Sequence, residues 1–453
     1  MMMNFRKRGG FLRRVPTQVK LVLGLASMVF VSSLLLMLPV MGAERPLNPN
    51  EAFFTAVSAL TVTGLSIIVP STDLSFLGQL FLLALIQIGG VGYMVVSVII
   101  FRLLGRSISF ADRLALRDSF GLLDMNAIVI LIRRVMITVV ALELVGAVLL
   151  WFHWQADLGP ERAALYAVFH AISAFCNAGF DLFVGTPGFS SVPNDPFSLT
   201  VLGGLIFVGG LGIPVVTDIL LVLARSRRFL SLHSRLTLLI TVVLVIVGSA
   251  GLFFPETQPG ATMAEFPLER AMSISIFQSI SARTAGFSAL DNFYDLAPSS
   301  QLLKIALMFI GTAPASMGGG ITTSTLIVLL VGLWAFARGR ETPHIFGRSL
   351  GAATMRRASA VLTVSLVVVV IVTWLLLVTH PGALLPHVLF EVVSAFATCG
   401  LSLGFTSSLS VFGQIMICLV MFWGRLGAIT IIVALARLAP PRLIAFPEEQ
   451  ILM

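Results

Sequence analysis

Long apolar runs, separated by short polar or basic stretches, set the pattern of this chain. The first, LVLGLASMVFVSSLLLMLPV, is long enough to span a bilayer. It follows the basic stretch MMMNFRKRGGFLRR and no A-x-A cleavage site follows it, so it reads as a transmembrane helix rather than a signal peptide. Four shorter apolar runs alternate with the long ones: EAFFTAVSAL, ALYAVFHAISAF, RAMSISIFQSIS and HVLFEVVSAF. At about 1.5 Å per residue each reaches roughly 20 Å, short of a ~30 Å hydrocarbon core. Each ends at a glycine: ALTVTGLS (59–66), AFCNAGFD (174–181), SARTAGFS (281–288) and FATCGLS (396–402). Those glycines, Gly64, Gly179, Gly286 and Gly400, are 115, 107 and 114 residues apart. The repeating unit is outer helix, short helix, glycine turn, inner helix.

Charge decides whether the short helices cross. The chain is 57% hydrophobic and only 11% charged, the balance of a polytopic membrane protein. Bases cluster before the first span, in 102–134, in 225–235, in 338–357 and at Arg437 and Arg442. If each unit crosses twice, all five basic segments fall on one side, the cytoplasmic one. Three crossings per unit would put alternate clusters outside. The expectation is an all-α fold of eight transmembrane helices in four parallel outer helix–pore helix–inner helix repeats around a pseudo-fourfold pore. Residues 1–17 form a cytoplasmic N-terminus, 18–110 the first repeat and 111–225 the second. Residues 226–340 form the third repeat and 341–453 the fourth with the C-terminus. The remaining segments hold thirteen acids, among them Asp181, Glu256, Asp291 and Glu391, against Arg45, Arg162, Arg270, Arg283 and Lys304. The outer face is expected to be acidic and to concentrate cations.

A glycine turn inside a bilayer leaves carbonyls that lipid cannot satisfy, so such turns must line a water- or ion-filled path. Four of them on a pseudo-fourfold axis would ring a cation with backbone oxygens that replace its hydration shell. The short helices would aim their negative ends at the same point. Four unrelated helix caps are the alternative, and the regular period argues against it. Asp181, two residues beyond the second glycine, reads either as an outer cation lure or as a solvated mouth residue.

One inner segment is interrupted. GTAPASMGGG (311–320) places a proline and four glycines between two apolar runs, at mid-membrane depth on the cytoplasmic side of the turns. Non-helical backbone there must face a cavity; a static packing kink is the other reading. The stretch lacks the lysine of a nucleotide-binding loop. Arg425 lies about fourteen residues into a last inner helix read as 411–437, too deep to reach water easily. It fits either carbonyls freed by the interruption or an ion pair with Asp218. GGVG (89–92) and GGLG (209–212) read as close-packing sites, Glu143 carries no assigned role, and 102–130 reads as an amphipathic cytoplasmic helix. The three cysteines and six histidines show no metal or disulfide spacing.

TVTGLS, IQIGGVGYM, CNAGFD, GGLGIPVVTDI, FQSISARTAGFS, the 311–323 interruption and FWGRLGAIT together resemble one family. It is the KtrB-type membrane subunit of the bacterial Ktr potassium uptake systems, within the Trk/Ktr/HKT superfamily. The resemblance covers nearly the whole chain. It implies that K+ is held by carbonyls of Val62, Thr63 and Gly64; Asn177, Ala178 and Gly179; Thr284, Ala285 and Gly286; and Thr398, Cys399 and Gly400. Glycine at 64, where serine accompanies sodium selectivity in the superfamily, implies a potassium pathway. The gate it implies is an intramembrane loop, Gly311, Thr312, Ala313, Pro314, Ala315, Ser316, Met317, Gly318, Gly319 and Gly320, working with Arg425. It implies a homodimer in the bacterial plasma membrane, with its N-terminus cytoplasmic. It also implies a separate cytosolic KtrA-type ring that binds ATP, ADP or NAD. Sodium activation or coupling stays open. No cofactor, enzymatic activity or nucleic-acid partner is expected. Two rivals differ in sequence signature. An alternating-access carrier favours inverted repeats, whereas these run parallel. A membrane enzyme needs a nucleophile, acid–base pair or metal cluster, and none assembles.

Overall fold

The computed structural model describes residues 17–92, 128–186, 191–225, 228–314, 316–340 and 342–427. Residues 1–16, the segment expected to be amphipathic up to residue 127, Ala315 and everything beyond Gly427 lie outside the described residues. The fold is helical, its strand content among the described residues being one antiparallel pair, His344–Ile345 with Arg348–Ser349.

In chain order the helices are α1 (Thr17–Leu36), α2 (Pro49–Thr61), α3 (Phe76–Val91), α4 (Ile128–Leu158), α5 (Pro160–Phe175), α6 (Pro196–Gly210), α7 (Ile213–Leu223) and α8 (Leu232–Glu256). They continue as α9 (Leu268–Ser281), α10 (Pro298–Phe309), α11 (Thr323–Ala337), α12 (Ala352–Thr379), α13 (Leu385–Ala397) and α14 (Val411–Leu426). Their starts follow local chemistry. Proline opens α2, α5, α6 and α10, where its missing N–H costs nothing. Ser75, Asp195, Ser231, Thr322 and Ser410 accept a first-turn N–H with their side chains at α3, α6, α8, α11 and α14.

Among the described residues, α8, α12 and the Met136–Leu158 part of α4 are long and apolar enough to cross a membrane. α6 and α7 meet that standard only as a pair, bent by 104°. These helices turn large apolar side chains such as Ile137, Ile246 and Val370 outward. The short helices α2, α5, α9 and α13 are instead packed inside, with Phe54, Phe169, Phe277 and Phe390 fully buried.

Packing closes a circuit. α3 lies against α2 and α5, α6 against α5 and α9, and α14 against α13 and α2, while α8 and α10 join α9 to α13. Glycine permits the closest of these approaches. A side chain at Gly209 would overlap the carbonyl oxygen of Phe175 at the end of α5, and one at Gly424 would overlap that of Phe396 at the end of α13. At Gly89 the Leu60 carbonyl oxygen would lie 2.5 Å from the added carbon. Backbone cannot move aside as a flexible side chain can, so overpacking there costs about 1–3 kcal/mol.

Gly204, on the same helix as Gly209, faces open space. Gly209→Ala should lower the apparent melting temperature of the detergent-solubilised protein by several degrees, while Gly204→Ala leaves it unchanged. Size-exclusion recovery after heating measures both.

Candidate functional site

The four short helices end alike. The first residue of each predicted trio, Val62, Asn177, Thr284 and Thr398, adopts a left-handed backbone with φ of 57°, 56°, 71° and 51°. The middle residues Thr63, Ala178, Ala285 and Cys399 do not, and the glycines return to positive φ at 85°, 68°, 78° and 98°. Left-handed backbone costs a non-glycine residue about 1–2 kcal/mol, and β-branched valine and threonine are rarest there. The amides turn back onto the helices: Thr63 N donates to Ser58 O at 2.8 Å, Ala178 N to Ser173 O at 2.7 Å and Cys399 N to Ser394 O at 2.8 Å. Ala285 and Gly286 both donate to Ser281 O, at 2.9 and 3.2 Å.

These turns meet in a ring. A side chain at Gly64 would overlap the carbonyl oxygen of Ala178, one at Gly286 that of Cys399, and one at Gly400 that of Thr63. At Gly179 the added carbon would sit 2.6 Å from the oxygen of Ala285. Each glycine therefore faces the carbonyl of the next turn, in the order first, second, third, fourth and back to first. Oxygen atoms gathered at four helix C-termini make a site that attracts a cation.

On one side the ring opens into a vestibule of about 400 Å³, lined by Gly64, Gly179, Gly286 and Gly400 together with Asp181 and Asp291. Asp181 is tied to the vestibule wall, its Oδ1 2.9 Å from His170 Nε2 and accepting from Phe183 N. On the other side lies the predicted interruption. α10 stops at Phe309 and α11 starts at Thr323. Gly318 comes so close to Thr284 that a side chain there would overlap its hydroxyl, and at Gly319 the added carbon would sit 2.7 Å from the Thr398 hydroxyl. The segment is held by Ala313 N donating to Gly210 O at 3.1 Å, Met317 N to Gly209 O at 3.3 Å and Arg283 Nη2 to Gly311 O at 3.2 Å. Thr312 and Ser316 share a hydroxyl hydrogen bond of 2.7 Å.

Arg425 joins this segment to the first inner helix. Its guanidinium donates to the Met317 carbonyl of the loop and to the Gly89 and Gly90 carbonyls at the end of α3. Asp218 accepts from the Ser231 amide at 2.6 Å. Of the expected helix 411–437 the described part is α14, which breaks at Gly427 with φ 76°, so Arg425 stands in the last turn before the break; residues beyond Gly427 lie outside the described residues. A cation is well placed there, because it meets the carbonyl ends of the helix.

The sequence reading treated GGVG and GGLG as packing sites alone. Both also end a helix, at Gly92 with φ 88° and at Gly212 with φ 82°. Set beside GRLG (424–427), they share one pattern, and Arg425 takes the place of Gly90 and Gly210. That alignment was available in the sequence. Some of the charges counted on the outer face lie inside the protein, two acids and two bases that leave its excess of acids unchanged. Glu256, Arg283, Lys304 and Glu391, counted there by position, are buried. Lys304 Nζ donates to Gln278 Oε1 at 2.6 Å. Glu143 is buried too, beside the second turn, accepting from Gln87 Nε2 at 3.1 Å with Cys176 Sγ within 3.9 Å.

Comparison with known proteins agrees with this architecture. Residues 16–443 match the family model TrkH, described as a cation transport protein. The chain is 34% identical over 432 residues to Ktr system potassium uptake protein B of Vibrio alginolyticus, covering 95% of this chain and 94% of that one. Identity to the protein of the same name in Bacillus subtilis is 32% over 443 residues, covering 97% of each. Potassium/sodium uptake protein NtpJ of Enterococcus hirae is 32% identical and covers 89% of each chain. The crystal structure of the potassium transporter TrkH from Vibrio parahaemolyticus shares the fold, with a TM-score of 0.71 at 19% identity, over 92% of this chain and 84% of that one. The chain is a multi-pass membrane protein and belongs to the TrkH family of cation transport proteins.

Proposed function

We propose that this protein conducts K+ across the bacterial plasma membrane, down its electrochemical gradient, through the ring of turns. The backbone oxygens of Val62, Thr63 and Gly64, of Asn177, Ala178 and Gly179, of Thr284, Ala285 and Gly286, and of Thr398, Cys399 and Gly400 replace the ion's water. The observation that carries this reading is the closed ring itself. Four glycines, one from each turn, each face the carbonyl of the next, and oxygens gathered in this way can replace the hydration shell of a cation such as K+. Asn177 Oδ1 and Thr398 Oγ1, buried at the ring without a hydrogen-bond partner among the described residues, add acceptors. Relatives named for potassium uptake support the choice of ion.

The chain then crosses eight times in four parallel repeats: α1, α4, α8 and α12 are outer helices, and α2, α5, α9 and α13 are re-entrant. The N-terminus is cytoplasmic. The loop 311–320 is the gate, closing the cytoplasmic side of the ring, with Arg425 as its bolt. A cation coming from the ring meets this loop first and then a fixed guanidinium, and both oppose its passage. As in a system with separate subunits, the chain works as a homodimer. A cytosolic KtrA-type ring that binds ATP, ADP or NAD moves the gate from outside the membrane.

Flux into proteoliposomes tests filter and gate separately. Gly64→Ser forces a side chain against the Ala178 oxygen at φ 85°, so K+ preference over Na+ should fall while transport of both persists. Retained preference would refute the filter assignment. Arg425→Ala removes the donors that tie Met317 to Gly89 and Gly90. Its K+ flux without any cytosolic partner should rise several-fold over the parent with selectivity unchanged, and equal or lower flux would refute the gate.

A further inference from the structure

The ring is pseudo-fourfold in its backbone, but the groups behind it follow a twofold pattern. Nine residues before the turn glycines stand Thr55, His170, Phe277 and Glu391, and two residues after them stand Ser66, Asp181, Ser288 and Ser402. In the first turn the later residue bonds its own segment, Ser66 Oγ donating to Ile68 O at 2.7 Å. In the third, Ser288 Oγ donates to Leu290 O at 3.1 Å and accepts from Gln278 Nε2 of α9 at 3.4 Å, while Phe277 at the earlier position offers no polar group. In the second and fourth turns, which face each other across the ring, the later residue bonds the one at the earlier position on the short helix. His170 Nε2 lies 2.9 Å from Asp181 Oδ1, and Ser402 Oγ donates to Glu391 Oε2 at 2.7 Å.

Glu391 does more than close this one link. It is fully buried in α13 and its second oxygen accepts from Thr406 Oγ1. Thr406 Oγ1 also lies 3.0 Å from Ser402 Oγ, and Gly404 N donates to that Ser402 oxygen at 3.1 Å. One turn further along α13, Ser394 accepts Gly400 N at 3.0 Å through its hydroxyl and Cys399 N at 2.8 Å through its carbonyl. Residues three apart share a helix face, so one face of α13 grips the chain from Cys399 to Thr406. Ser402 and Thr406 line the vestibule. A buried carboxyl whose two oxygens are both spent on vestibule hydroxyls is costly to keep unless those bonds serve a geometry.

We propose that Glu391 is a positioning residue for ion selection. It holds the outward strand of the fourth turn, and so the Cys399 and Gly400 oxygens, at the spacing that favours K+. This rests on the conduction pathway proposed above. Its counterpart is the His170–Asp181 pair at the opposite corner, so the mouth is clamped at two diagonal points, while the first corner relies on its own turn and the third on a longer bond from Gln278.

The test is uptake into proteoliposomes over a range of K+ and Na+ concentrations, for the parent, Glu391→Ala, Glu391→Gln and Thr406→Val. Losing hydrogen bonds to a carboxyl in this setting should raise the K+ concentration for half-maximal flux about tenfold in Glu391→Ala and reduce the K+/Na+ flux ratio. Glutamine keeps the volume and can bridge both hydroxyls, so Glu391→Gln should stay within about twofold of the parent, the scale of one altered neutral hydrogen bond. Thr406→Val should shift both quantities in the direction of Glu391→Ala, by less. Equal shifts for alanine and glutamine, or an unchanged flux ratio in Glu391→Ala, overturn the proposal. If Glu391→Ala does not yield folded protein, Thr406→Val decides: parental behaviour overturns the proposal, and a shift sustains it. A parent that carries no K+ overturns the pathway and this inference together, whereas a conducting parent with indifferent variants overturns the inference alone.

Discussion

A backbone oxygen surrounded by hydrocarbon must find a partner, and the centre of this protein is built around oxygens that find none within their own helices. Each of four short helices ends in a turn whose amides fold back onto the helix, leaving carbonyls aimed elsewhere. In lipid such groups cost several kcal/mol each. The four turns resolve this together by facing one another, and that is possible only because a glycine in each lets the next turn's carbonyl approach. The circuit of helix packing exists to hold this ring, and in the proposed pathway the passing cation is the missing partner.

Keeping the ring in shape has its own cost. Val62, Asn177, Thr284 and Thr398 sit in left-handed backbone, a strain of about 1–2 kcal/mol each. It is offset by cap hydrogen bonds and by the burial of helices α2, α5, α9 and α13 toward their C-terminal ends. Such over-determination gives a stiff ring, and stiffness suits a site that must tell ions of similar size apart. Lys304, Glu143 and Glu391 are placed around it and bond Gln278, Gln87 and a pair of hydroxyls respectively. Their substitution by apolar residues would leave those partners stranded.

Below the ring, helix ends supply the fastening. α3 and α14 stop at a glycine with positive φ and α6 stops two residues before one, which frees carbonyls near the axis. Those of Gly209 and Gly210 take the amides of the loop 311–320, and those of Gly89 and Gly90 take Arg425. A hydrogen bond from an amide contributes about 1 kcal/mol net, and one from the charged guanidinium about 1.5–3 kcal/mol. A few such bonds hold a segment firmly yet can be exchanged by a partner's binding energy, as the proposed gate requires.

The period of apolar runs, the half-length helices, the glycine turns and the broken third inner segment were legible in the sequence, because length, hydropathy and glycine placement act locally. Arg425 was legible as a charge deep in an apolar segment but not as the last residue but one of a helix, since the stop at Gly427 becomes evident only beside Gly92 and Gly212. Residues counted as outer charges, Arg283, Lys304 and Glu391, turned out buried, because position between apolar runs does not tell which way a side chain points. What the sequence alone determined is where the backbone must leave the helix inside a membrane. What the tertiary structure decided is that these four departures meet, in which order, and which buried groups stand behind each. Oxygen atoms contributed by residues more than a hundred positions apart become one site only when packing brings them within contact.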